Sequence, residues 1–432
     1  MRRLLRLTVV DLGPLRQHRD FRLLLVSRGV SFLGSMVTYV AIPYQVYRLS
    51  GSSLLVGLLG LTELAPLLAT AFLGGALADT FDRRRMVQVT ELGLAGASSV
   101  LLVNATLPSP QLWVLFVMAA VMAGLDGLQR PSLEALEPRL VERVELPAAG
   151  ALSSLVMTTG MIGGPALGGV LLAVTGVPAT YGLDVATFLV SLAALRLMRA
   201  VPPPPDAERP SLRAIAEGFR YARSRPELLG TYGVDIVAMF FGMPNALFPA
   251  LAVKLGGGPG ILGLLYAAPS VGSLLATVTS GWVSRVHRHG AAVCVAAAGW
   301  GVGIVVLGLA PGLALALAGL VVAGFADMLS GIFRGTIWNQ TIPDRLRGRL
   351  AGIEQVSYST GPLLGNVEAG VVASLAGVRA SIVSGGVLCI AGVGVAVVAL
   401  PAFWRYDARA SLPGDDERAG ARSAAPDLPR AP

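Results

Sequence analysis

Six ionisable side chains stand inside otherwise apolar stretches of this 432-residue chain: Arg28, Glu63, Asp126, Asp235, Asp327 and Glu368. A charge at the centre of a bilayer costs about 2.5–3.5 kcal/mol on insertion scales, so each should face a partner or a cavity. Carboxyl groups in such a cavity can take up and release protons near neutral pH. Asp126 and Arg130 are four residues apart and can pair on one helix face, a pair that serves packing as readily as function. Asp235 and Asp327 have no evident local partner, which ranks them first as proton carriers, with Glu63 next. Asp184 falls near the outer end of its apolar segment, and Glu91 and Glu354 near inner ends.

Two further strings carry a mechanical meaning. The first is Gly75-x-x-x-Asp79-x-x-Asp82-Arg83-Arg84. A tight turn between two helices needs a small residue, which Gly75 supplies. Asp79, near the end of an apolar helix, needs a cation or a helix N-terminus, and Arg83 and Arg84 are the nearest cations. The plain alternative is a positively charged anchor. The second string is Gly160-x-x-x-Gly164-Pro165-x-x-Gly168-Gly169. Glycines four apart line one helix face and permit close backbone contact, and Pro165 can bend the helix. Ordinary helix packing is the alternative here.

The scaffold for these residues follows from composition. Apolar residues make up 54% of the chain and charged residues only 14%, about half the share in a soluble domain. That is too little charge to cover a water-soluble fold of this length, which disfavours soluble enzymes, nucleic-acid-binding proteins and disordered chains. Apolar segments lie at roughly 24–47, 54–78, 86–105, 111–130, 148–174, 179–198, 229–252, 260–283, 291–310, 313–334, 350–376 and 380–400. Each suits a spanning helix of about 20 residues and is too long for a membrane strand. The predicted fold class is an all-α membrane protein with twelve transmembrane helices.

Connections after the odd-numbered segments carry Arg48, Lys254 and Arg379, three of the 34 basic residues. The rest lie in the other connections and the tails, so both termini are predicted to be cytoplasmic. That placement accounts for the net charge of +8 without a nucleic-acid partner. Met1 to Arg22 is basic, and the apolar run after it is too long for a cleavable signal. The central break is Pro202 to Pro205, which cannot extend a helix, followed by an amphipathic stretch from Ser211 to Arg225. The expected organisation is a cytoplasmic segment (1–20), a six-helix bundle (21–200), a cytoplasmic linker (201–226), a second six-helix bundle (227–403) and a disordered tail (404–432). The halves echo each other in short matches such as Gly164-Pro165-x-x-Gly168 and Gly361-Pro362-x-x-Gly365. Cys294 and Cys389 sit in apolar runs and read as packing residues. His287 and His289 flank Arg288 without a carboxylate cluster, so no metal site is expected. No cofactor is expected either: there is no Walker-type string, and Lys254 is the sole lysine.

The string from Gly75 to Arg84 resembles motif A of the major facilitator superfamily, with Asp82 where the usual pattern has a second glycine. The glycine string in the fifth segment is similar to motif C, which is associated with exporters and antiporters. Leu23 to Arg48, Asn104 to Leu112, Pro202 to Ser224, Phe248 to Ala252 and Leu264 to Gly281 resemble siderophore exporters of the enterobactin type. The resemblance implies a 6+6 major facilitator superfamily fold, with Asp79 and Arg83 latching the halves together in the outward-open state. It implies a cavity lined by helices 1, 4, 7 and 10, which favours Arg28, Asp126, Asp235 and Asp327 as cavity residues. Tyr39, Gln45, Phe241 and Asn245 are further candidates for contact with a large, partly apolar solute. Two departures stand out. Gly281-Trp282-Val283-Ser284-Arg285 lacks the acidic residue of motif A, and the fourth segment lacks the R-x-x-Q-G string linked to proton coupling.

The expected activity is secondary active export, driven by inward proton flow, of a siderophore or another small-to-medium organic compound. The protein is expected to be a multi-pass monomer of the inner membrane, with a small-molecule substrate, protons and the lipid bilayer as its partners. An importer or uniporter, or a non-transporting sensor on the same fold, are the alternatives. An enzyme is disfavoured, because the carboxylates are scattered and no His/Cys cluster accompanies them.

Overall fold

The computed structural model describes residues 11–78, 81–201 and 219–409. Twelve long helices and no strand occur among them. They are α1 (Arg19–Ser50), α2 (Ser53–Ala78), α3 (Arg83–Thr106), α4 (Leu112–Leu136), α5 (Leu146–Val174), α6 (Gly176–Leu197), α7 (Pro226–Phe241), α8 (Pro259–Thr279), α9 (His289–Leu309), α10 (Leu313–Thr341), α11 (Asp344–Ala376) and α12 (Val378–Ala399). Eleven contain stretches long and apolar enough to cross a membrane. The other, α11, spans 33 residues, and its part from Leu350 onward carries only Glu354 and Glu368 as charged residues.

Local chemistry sets the helix ends. Positive-φ glycines stand in four of the hairpins: Gly51 at φ 65° after α1, Gly176 at 82° at the start of α6, Gly256 at 78° before α8 and Gly377 at 90° between α11 and α12. Proline stands in the first turn of α5, α7 and α8, where its missing N–H costs nothing.

The packing repeats with a period of six helices. In the first half α1 packs on α5 and α6, α2 on α4, and α3 on α4 and α6. In the second half α7 packs on α11 and α12, α8 on α10, and α9 on α10 and α12. The halves meet through α2 on α11 and α5 on α8, which the same repeat interchanges. The short echoes in sequence therefore mark a repeat of whole bundles.

One predicted element is broken. The segment expected to run as one helix over 229–252 ends at Phe241, passes a 3-10 turn at Asn245–Leu247, and resumes at Phe248–Lys254. Pro244 cannot donate to a helical ladder, and the Gly242 carbonyl instead accepts from the indole of Trp300 at 2.9 Å. Irregular backbone at membrane depth is tolerated where it lines a cavity, and this break places Asn245 in one.

The contacts between halves gather at the end of the bundle away from the chain termini. A Cβ on Gly60 would strike the backbone of Leu363, and one on Gly57 that of Asn366, near the start of α2 and the far half of α11. Gly169 near the end of α5 meets Pro259 and Gly263 at the start of α8. Next to the central break, residues 219–224 are helical; the rest of the expected amphipathic stretch, and residues 410–432 of the tail, lie outside the described residues.

Candidate functional site

A cavity of about 220 Å³ lies between the halves, just inside this closed end. It is lined by Tyr39 of α1, Glu63 of α2, Asp126 of α4, Asn245 after α7, Tyr266 of α8 and Asn366 of α11. The amide of Asn245 donates to the Tyr39 hydroxyl at 3.1 Å, and the Tyr266 hydroxyl donates to the Asn245 carbonyl at 3.0 Å. The Tyr39 and Tyr266 rings meet edge to face at 5.3 Å. The backbone N–H of Ala246 donates to the Asn366 side chain at 3.1 Å. These bonds form a polar belt in a wall otherwise mostly apolar, to which Ser35 and Thr38 add hydroxyls. Glu63 and Asp126 are the charged groups among the described lining residues, and no Lys, Arg or His joins them.

The expected Asp126–Arg130 pair does not form. Arg130 turns to Glu134, one turn further on, at 3.1 Å, and leaves Asp126 facing the cavity. Glu63 reaches the cavity because the glycines of α2 seat that helix against α11, with its next turn pointing inward. A third carboxylate lies one layer behind. Asp184 is fully buried and accepts from Thr38 at 2.7 Å and Ser98 at 2.6 Å. It is enclosed by the bundle about two turns from the start of α6, and Thr38 connects it to the cavity wall.

The two carboxylates ranked first for proton transfer do have a cationic partner. Arg334 of α10, 3% exposed, forms an ion pair with Asp235 of α7, 5% exposed. Its other terminal nitrogen lies 3.8 Å from Asp327, whose side chain is 40% exposed. The guanidinium also sits 5.3 Å from the centre of the Tyr358 ring. Arg334 stands seven residues after Asp327, two turns along one helix, and Asp235 comes from another element, so sequence spacing hid the triad. Asp327 is not among the residues lining the central cavity, and α10 supplies none of them. Removing one partner of a buried ion pair costs about 3–5 kcal/mol. Asp235→Asn should therefore lower the thermal stability of the purified protein markedly, while Asp327→Asn should leave it nearly unchanged.

Besides Asp235 and Asp327, three expected cavity residues stand elsewhere. Arg28 pairs with Glu137 at 3.5 Å, beyond the end of α4. Gln45, 3% exposed, accepts from the Tyr181 hydroxyl at 2.8 Å and ties α1 to α6. Phe241 stacks edge-on against Phe240 at the end of α7. Each is satisfied by its own bundle, and apolar surroundings alone did not distinguish that from a cavity wall.

The glycines of α5 divide between two neighbours. Gly160, Gly164 and Gly168 face α1, where a Cβ would meet Phe32, Met36 and Val37 respectively. Gly169 faces α8: a Cβ there would lie 2.8 Å from the Cα of Gly263, and one on Gly263 would lie 2.6 Å from the Pro165 carbonyl. The first three glycines thus pack one half, and Gly169 serves the contact between halves. In the second half Gly361 and Gly365 face α7 in the same way, and Asn366 takes the place of Gly169. The departure at Asn366 places an amide in the cavity wall.

Of the string between α2 and α3, Asp79 lies outside the described residues, and the helix containing Gly75 runs to Ala78. Asp82 caps α3, accepting from the backbone N–H of Arg84 at 2.9 Å and Arg85 at 3.4 Å. That gives the unusual aspartate a task a glycine side chain cannot perform. Arg83 donates to the Ala135 carbonyl at 3.3 Å and Arg84 to that of Met198, so both meet helix C-termini of the first half. Asp82→Ala should cost about 1 kcal/mol of stability, read as a lower midpoint of thermal unfolding.

Residues 9–419 match the transmembrane secretion effector family. The chain belongs to that family. Proteins similar to it include the enterobactin exporter EntS of Citrobacter koseri, 30% identical over 396 residues, covering 91% of this chain and 93% of the relative. EntS of Shigella boydii is also 30% identical, over 89% of this chain and 93% of its own length. Among solved structures, a peptide transporter of the POT family superposes with a TM-score of 0.73 at 12% identity, over 90% of this chain and 95% of the other. A bacterial homologue of the lysosomal transporter Spinster, in an inward-facing and unoccupied conformation, gives 0.67 at 15% identity, over 89% and 95%. The fold is thus the 6+6 helical bundle of the major facilitator superfamily, and this secretion effector is a membrane transporter, not an enzyme.

Proposed function

We propose that this transporter expels a small-to-medium organic compound in exchange for protons entering the cell. Its halves would rock about the central cavity so that the cavity opens to one side of the membrane at a time. The observation that carries this reading is the cavity itself. It lies between two halves that are bound together at one end, and it holds Glu63 and Asp126 with no Lys, Arg or His among its described lining residues. Two carboxylates facing one solute space can give up protons to one side when solute enters and regain them on the other. Asp327, half open beside Arg334, is the next candidate; Asp235 is engaged by Arg334 and would have to break that pair to take part.

The charge of the cavity also narrows the solute. Carboxylates with no cation in the same wall repel anions and favour neutral donors or cations. A metal-free phenolic siderophore, whose phenols stay protonated at neutral pH, or a drug-like cation with an apolar body fits this wall. A polyanionic iron complex does not. The EntS relatives are named enterobactin exporters, which supports export.

In this reading both termini lie in the cytoplasm of the inner membrane and the closed end faces outward, so the structure is the inward-facing state. Residues 21–200 and 227–403 form the moving halves of a monomer, joined by a cytoplasmic linker at 201–226 between end segments 1–20 and 404–432. The latch assigned to Asp79 and Arg83 would engage when the outer end opens. The test is cellular accumulation of ethidium, metal-free enterobactin and ferric enterobactin in an efflux-deficient host. Expression should lower the first or the second and leave the third unchanged. Raised accumulation would indicate an importer, and unchanged accumulation of all three would fit a sensor.

A further inference from the structure

A second cavity, of about 620 Å³, runs between α7, α11 and the helical stretch at 219–224. Its α7 wall is a stripe of Leu229, Ile236 and Phe240, with Gly361 and Leu364 of α11 opposite. Asp235 points the other way, toward Arg334, so the stripe lies on the flank of the bundle. Leu229 and Ile236 are 38% and 46% exposed, which opens the cavity along that flank.

Four polar side chains interrupt the apolar wall: Arg223, Tyr232, and Ser357 and Thr360 of α11. Arg223 lines the mouth, and no ion pair engages it among the described residues. Further in, Tyr232 is 9% exposed, lines the cavity, and its hydroxyl has no hydrogen-bond partner among the described residues. A buried donor left unpaired is costly, so the site calls for an acceptor. From the mouth inward the cavity thus offers a cation, then the hydroxyls of Tyr232, Ser357 and Thr360 set among apolar side chains that continue to Phe240 and Leu364.

We propose that this crevice holds one anionic glycerophospholipid. Its phosphate would meet Arg223, an ester carbonyl would accept from Tyr232, and an acyl chain would run along Leu229, Ile236 and Phe240. The order of chemistry along the crevice is that of a phospholipid read from headgroup to tail. The linker around Arg223 supports the sign of the charge: residues 196–225 include seven arginines, and basic segments at a membrane surface attract anionic lipids.

The test is native mass spectrometry of the delipidated full-length protein with phosphatidylglycerol and phosphatidylcholine of equal chain length. The proposal expects one tightly held copy, with phosphatidylglycerol preferred about fivefold, as one interfacial arginine would give. Arg223→Gln should abolish the preference and Arg223→Lys should keep it. Ile236→Trp, at a half-exposed position, should remove the tight copy of either lipid while thermal unfolding stays as in wild type. Equal binding of the two lipids, a preference that survives Arg223→Gln, or a tight copy that survives Ile236→Trp would overturn the proposal. So would displacement of the lipid by glycerol phosphate or ethidium, which would make the crevice an anion site or a substrate portal.

Discussion

Gly169→Leu is expected to reach the membrane in normal amount and to lose export. The crossing of α5 and α8 at Gly169 and Gly263 leaves no room for a side chain on either helix, since even a Cβ would come within 2.8 Å of the facing Cα. Overpacking a tight contact costs about 1–3 kcal/mol or more. Each 1.4 kcal/mol changes a population about tenfold, so the state closed at this end should become about ten- to a hundredfold rarer. Gly164 makes a useful contrast. It packs α5 on α1 inside one half, so Gly164→Leu should reduce folding and expression without choosing between states. The readout is labelling of Met243→Cys, in the cavity wall, by a membrane-impermeant maleimide applied outside intact cells. Cys294 and Cys389 are buried and should contribute little background. Labelling should rise about tenfold or more when Gly169→Leu is added, and unchanged labelling would show that the α5–α8 contact does not govern exposure of the cavity.

Glu63→Gln combined with Asp126→Asn is expected to abolish proton-driven efflux while the protein folds normally. The two substitutions keep shape and remove charge. A hydrogen bond to a charged group contributes about 1.5–3 kcal/mol, so the affinity for ethidium should weaken about tenfold or more, as read by fluorescence titration of purified protein. A neutral solute should bind nearly as before. Asp184→Asn separates the cavity from its second layer. Asp184 touches no solute space directly but accepts from Thr38, which does line the cavity, so its loss should change the pH dependence of transport more than the affinity for ethidium.

Twelve apolar segments were legible in the sequence because helix length and hydrophobicity answer directly to bilayer thickness. The break in α7 was written in Gly242-Met243-Pro244, but hydropathy reads straight through three small or apolar residues. The task of Asp82 was visible as an aspartate directly before the first turn of α3. What sequence spacing could not supply was rotation about each helix axis. Arg28, Gln45 and Phe241 share the apolar surroundings of the cavity residues, yet their helices turn them toward neighbours within one half. Arg334 escaped notice for the related reason that its partner Asp235 lies on another helix, 99 residues away in the chain. The burial of Asp184 is made possible by hydroxyls on α1 and α3, which no pattern within α6 can reveal.

The most direct measurement uses inside-out membrane vesicles with an acid lumen and a pH-sensitive dye trapped inside. Adding ethidium to the outside should drive its accumulation and raise lumenal pH in step, and Glu63→Gln with Asp126→Asn should abolish both changes. Ethidium accumulation without a change in lumenal pH, or accumulation undiminished in the double variant, would contradict exchange of solute for protons at the central cavity.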